Sequence, residues 1–114
     1  MLRYAYLIFF VISLTIIGSS EQVLAEHMPA SVSVPQGTSS PGCEISKECF
    51  VPYEVTIDVG SAVTWSNDDS AAHTVTSGDG VSDGVFDSSL FMAKTTFSHT
   101  FEEEGIFRYF CMVH

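Results

Sequence analysis

The sequence predicts an all-β fold, an antiparallel Greek-key β-sandwich, and three observations carry that prediction. From residue 29 onward the chain runs in short stretches that alternate apolar and polar residues, the period of a half-buried strand. Turn chemistry rich in Gly, Pro, Asp and Ser separates these stretches at the close intervals expected of sandwich strands. No stretch keeps a helical period.

Each expected element follows from its residues. Residues 29–34 alternate apolar and polar side chains as a first edge strand, closed by Pro35-Gln36-Gly37 and a Ser/Thr/Pro/Gly tract to Gly42. Residues 53–59 place Tyr53, Val55, Ile57 and Val59 on one face. Gly60-Ser61 turns the chain, and 62–66 return with Val63 and Trp65 facing inward. The loop 67–72 leads to His73, which opens a strand over 73–76. The Gly/Asp/Ser-rich residues 77–84 read as irregular, and 86–92 fit either a short strand or one helical turn. Residues 95–101 form a strand, 102–105 a tight turn, and 106–111 the last strand. There Phe107, Tyr109 and Cys111 share a face, opposite Ile106, Arg108 and Phe110.

The 114 residues leave room for one small domain after a targeting segment. Arg3 begins a positively charged start, residues 4–17 are almost wholly apolar, and Val23-Leu24-Ala25 is a small-residue cleavage pattern. Residues 1–25 are therefore expected to be a signal peptide, with a mature start at Glu26; an uncleaved anchor is the alternative. The apolar run falls short of the roughly 20 residues a span needs. Residues 26–49 then hold the first strand and a candidate disulfide loop, and 50–114 the main part of the domain.

Only Glu21 of the 14 acids and Arg3 of the four bases lie in that segment, so the remaining domain keeps a net charge of −10. Phosphate binding needs basic surface, which argues against nucleic acid as a partner. An acidic exterior either speeds the approach of partners with basic docking surfaces or simply keeps the domain soluble. Charge alone does not choose between these.

Export bears on the three cysteines. In an oxidising compartment Cys43 and Cys49 are close enough in sequence to form a disulfide. Cys111 is then the odd thiol, and metal ligation explains it best, because His114 stands three residues on and His73 opens a strand upstream. One thiolate and two imidazoles make a trigonal set suited to copper in both oxidation states. Zinc competes for such ligands, but a structural zinc site wants four at close-paired spacing, and no C-x-x-C knuckle occurs. A catalytic Cys-His pair lacks the helix start that would activate it. His99, between Phe97 and Phe101, reads as a partly buried side chain, and His27 as a tail residue.

From Phe50 to His114 the chain resembles the plastocyanin-like members of the cupredoxin, or blue copper, family. The resemblance rests on Phe50-Val51-Pro52, the run Gly60 through Asp68, His73-Thr74-Val75-Thr76, Phe86-Asp87-Ser88, Phe97-Ser98-His99-Thr100-Phe101, and Gly105 through Cys111 with His114. It implies that His73, Cys111 and His114 are the ligands of one type 1 copper, with the second histidine beneath an apolar patch through which electrons leave. It also implies an exported one-electron carrier, not an enzyme, working between donor and acceptor redox proteins in an extracytoplasmic space, close to or free of the membrane. A module of a larger copper oxidase, or a copper storage or delivery protein, is the alternative.

Two departures stand out. Many members carry Asn straight after the first histidine, where it braces the ligand loop; here Thr74 takes that place. The axial Met expected beyond the second histidine, and a final strand, do not appear, so the chain is expected to be C-terminally incomplete. Among the other methionines, Met112 points away from the thiol, Met92 is expected to fill core, and Met28 lies in the N-terminal tail. None is assigned as a ligand.

Overall fold

Alternation of apolar and polar residues builds two sheets in the computed structural model, which describes residues 4–10 and 30–114. The strands are β1 (Tyr4–Phe10), β2 (Ala30–Val34), β3 (Glu54–Asp58), β4 (Ala62–Asn67), β5 (Thr76–Gly78), β6 (Ser82–Asp87), β7 (Thr96–Thr100) and β8 (Ile106–Phe110). One short helix, α1 (Cys43–Ser46), lies in the loop closed by the Cys43–Cys49 disulfide. One sheet runs β3-β1-β8-β5-β6 and the other β2-β4-β7. Most pairings are antiparallel; β1 with β3 and β2 with β4 are parallel.

The core lies between the sheets and is held by aromatic packing. Trp65 of β4 is fully buried and meets Tyr109 of β8 edge-on at 5.3 Å, Phe86 of β6 at 5.7 Å and Phe97 of β7 at 5.7 Å. Phe50 meets Tyr109 edge-on at 4.9 Å. Such pairs add about 0.5–1.5 kcal/mol each beyond the area they bury. Val55, Ile57 and Val63 fill in around them, on the faces the alternation assigned.

The sandwich brings two distant stretches together. β5 pairs antiparallel with β8, Thr76 opposite Phe110 and Ser77 opposite Tyr109. The start of β5 and the end of β8 therefore sit at the same end of the sheet. His73 lies just before the first and Cys111 just after the second.

Several expectations need correction. Residues 73–76 do not form one strand: His73 makes a single bridge to Phe91, and β5 begins at Thr76. Residues 77–84 are not irregular but belong to the β5–β6 hairpin. Gly78 and Gly80 adopt positive φ at its turn. The Ser77 hydroxyl donates to Asp83 and receives the Phe86 N–H, so polar pairing replaces apolar alternation there. Phe110 is buried at 2% although it points to the face of β8 opposite Tyr109. Met92 does not fill core but is 62% exposed.

Tyr4–Phe10, part of the expected signal peptide, stands as a strand between β3 and β8. The expected cleavage point after Ala25, together with His27 and Met28, lies outside the described residues.

Candidate metal centre

Asn67, the last residue of β4, fixes the loop that carries the first histidine. Its buried side chain donates to the carbonyls of Ala71 (2.8 Å) and Phe91 (3.1 Å) and accepts the Asp69 N–H at 3.0 Å. The bridge between His73 and Phe91, with N···O distances of 3.2 and 2.9 Å, then sets the histidine backbone. His73 is 1% exposed.

Its ring is oriented from behind. Nε2 lies 2.7 Å from Asp69 Oδ2, and both side chains are 1% exposed. The other carboxylate oxygen of Asp69 accepts the Gly37 N–H at 3.0 Å. Burial alone would raise the Asp69 carboxyl, but the hydrogen bonds from His73, Gly37 and Ser70 outweigh it and hold the acid well below the usual range. An ionised carboxylate on Nε2–H leaves Nδ1 as the free lone pair.

That Nδ1 faces the thiol, 3.7 Å from Cys111 Sγ. This is shorter than the sum of ordinary metal–sulfur and metal–nitrogen bonds, about 4.3 Å, so one ion can bind both atoms. Burial pushes the Cys111 thiol up. His73 and the N–H groups of Thr74, Val113 and His114 outweigh that and bring it down to about 7. The thiolate is the form that ligates metal. Burial likewise pushes His73 down, while Cys111 and Asp69 together hold it above the ordinary imidazole range.

His114 packs beside His73. Its ring centroid lies 4.5 Å from that of His73, and its Nε2–H donates to the Ala72 carbonyl at 2.9 Å, a tautomer that puts the ring's lone pair on Nδ1. It is partly exposed, whereas Cys111 is 2% exposed. The structure thus gathers His73, Cys111 and His114 at one end of the sandwich, with one imidazole reaching the surface.

A family model describing copper-binding proteins of the plastocyanin/azurin family matches residues 38–114. The chain belongs to that family. It is 31% identical over 107 residues to amicyanin-alpha of Methylorubrum extorquens, a match spanning 92% of this chain and 87% of the relative. Among solved structures it is similar to a purple cupredoxin from Nitrosopumilus maritimus, with TM-score 0.68 and 34% identity, covering 75% of this chain and 88% of that one. The β-sandwich is a cupredoxin fold, and copper is the cofactor of the family.

Sequence reasoning did not single out Asp69. The available signal was an acid four residues before a candidate ligand, but Asp68 beside it looks the same. Asp68 faces outward, where it accepts from the hydroxyls of Ser33 and Ser66. Among the described residues, three metal-binding side chains have ligand atoms all within 4.8 Å of one another at Cys43, Glu44 and Cys49, but both sulfurs there are committed to the disulfide and offer no thiolate.

Proposed function

We propose that this cupredoxin is an exported one-electron carrier whose single type 1 copper is held by His73 Nδ1, Cys111 Sγ and His114 Nδ1. The observation that carries the reading is His73 Nδ1 standing 3.7 Å from the buried Cys111 Sγ; the His114 ring, its centroid 4.5 Å from that of His73, supports it. Copper bound there supplies one reversible electron between Cu(II) and Cu(I). The protein keeps the ligands in one arrangement for both states. Asp69 and Ala72 hold the rings, and the Thr74 N–H holds the sulfur at 3.3 Å. Little then moves on transfer.

Partly exposed His114 is the exit for the electron, and the apolar side chains of Met112 (57% exposed) and Val113 (49% exposed) flank it in sequence. Donor and acceptor redox proteins with basic docking surfaces suit the net charge of −10. Residues 1–25 act as the export segment, 26–49 carry the first strand and the disulfide loop, and 50–114 the copper-binding part. The site of action is extracytoplasmic, either free or close to a membrane. Among the described residues no helix is long and apolar enough to cross one.

A spectroelectrochemical titration tests this reading. The copper-loaded protein should take up and release one electron per copper reversibly and keep its metal in the presence of a chelator. Ready surrender of copper to the chelator, without reversible cycling, would favour storage or delivery instead.

A further inference from the structure

Thr74 grips the ligand loop twice. Its N–H points to Cys111 Sγ at 3.3 Å, and its Oγ1 accepts the N–H of Met112 at 2.8 Å. One residue therefore holds both the sulfur and the peptide that follows it. The hydroxyl does not act alone. Thr74 Oγ1 lies 3.0 Å from Thr76 Oγ1, and Thr76 Oγ1 lies 3.1 Å from Asp87 Oδ1. Thr74 and Thr76 are 4% and 0% exposed.

The direction of this chain is forced. An ionised carboxylate only accepts, so the Thr76 hydroxyl donates to Asp87. The Thr76 oxygen then accepts the single hydroxyl proton of Thr74, and the Thr74 oxygen is left to accept from Met112. Each bond polarises the next, and the carboxylate at the end strengthens the set. Asp87 is itself held, since its Oδ1 also accepts the Ser89 N–H at 2.9 Å. The intervening Val75 is pinned to Ser88 through its N–H (2.8 Å to Oγ) and its carbonyl (2.9 Å from N).

We infer that Asp87, Thr76 and Thr74 form a directed hydrogen-bond relay that positions the Met112 peptide and so fixes the Cys111–His114 ligand loop from outside the metal's reach. The inference deepens the copper-carrier reading and rests on it for its effect on the metal. All three are positioning residues.

Amide exchange at Met112 in the metal-free protein tests the relay without copper. Thr76→Val keeps the side-chain shape and breaks the relay at its centre. Met112 should then exchange about fivefold faster, the worth of one net hydrogen bond, while core amides such as that of Trp65 keep their protection. Asp87→Ala, at an exposed position, should act in the same direction with little risk to folding.

Thr74→Asn supplies a carbonyl acceptor that owes nothing to Thr76. In that background Asp87→Ala should have no further effect, a non-additivity that a general loss of stability would not produce. In the copper-loaded protein, Thr76→Val should hasten copper release and shift the visible band, and Thr74→Asn/Asp87→Ala should match Thr74→Asn alone. Unchanged Met112 exchange in Thr76→Val, or in Asp87→Ala should Thr76→Val not fold, would overturn the inference. Unchanged effects of Asp87→Ala in the two backgrounds would overturn it equally. A wild-type protein that forms no coloured copper complex would instead count against the carrier reading and leave the exchange result standing.

Discussion

Asparagine at position 69 would leave one of two buried N–H groups facing another donor. Asp69 accepts from Gly37 N–H at 3.0 Å and from His73 Nε2–H at 2.7 Å, whereas an amide offers one acceptor and one donor. If the amide nitrogen faces His73, the ring must move its proton to Nδ1, the atom that faces Cys111. If it faces Gly37, the turn from β2 loses its anchor. In either case the cost is that of an unsatisfied buried donor, about 1–3 kcal/mol. It stays below the 3–5 kcal/mol of an uncompensated buried charge, because His73 can release its proton. Each kcal/mol lowers the midpoint of a domain this small by roughly 4–8 °C. Cu(II) affinity should fall about 10–100-fold, the usual cost of losing a ligand's outer hydrogen-bond partner. Thermal unfolding of the metal-free protein and competition titration of Cu(II) read the two effects. A variant with wild-type midpoint and wild-type affinity would refute the assignment of Asp69 as the group that orients His73.

Other perturbations test the scaffold. Gly78→Ala should cost more than about 2 kcal/mol in chemical denaturation, since φ is 129° and the added Cβ would lie 2.0 Å from the Val81 carbonyl oxygen. Gly37→Ala, at φ 92° but with nothing within 4 Å, should cost only about 1 kcal/mol. Replacing Cys43 and Cys49 together by Ala should lower stability by about 2 kcal/mol, the chain-entropy value for so short a loop, and leave the visible band intact; loss of the band would place the pair in the metal site. In the metal-free protein the stability gap between wild type and Asp69→Asn should be widest between about pH 4 and 6.5, the unfolded carboxylate and imidazole values. The contribution from His73, whose folded pKa is raised, fades as pH rises through that value, and the contribution from Asp69, whose folded pKa is lowered, fades as pH falls through its own. A gap that does not vary with pH would refute the buried pair.

The sandwich was legible because its core strands alternate strongly: Val55 and Ile57, Val63 and Trp65, and Tyr109 all face where their spacing puts them. The β5–β6 hairpin was not, because Ser77, Asp83 and the glycines hold it by polar bonds and positive φ, which read locally as loop. His73, Cys111 and His114 were legible as residue types at revealing positions, since an unpaired thiol beside a histidine invites a metal. Their supports were not. Asp69 differs from Asp68 only in which way it faces, and the link from Asp87 to Met112 crosses three segments that only the fold brings together. Thr74 looked like a departure from the family pattern, yet its hydroxyl takes up the Met112 N–H.

The account stands most directly on the visible spectrum of the Cu(II)-loaded protein. A buried thiolate bound to copper gives an intense thiolate-to-metal charge-transfer band, so the wild type should be strongly coloured and Cys111→Ala should lose that band while keeping the fold. A colourless copper-loaded wild type, or a band that survives Cys111→Ala, would contradict the account.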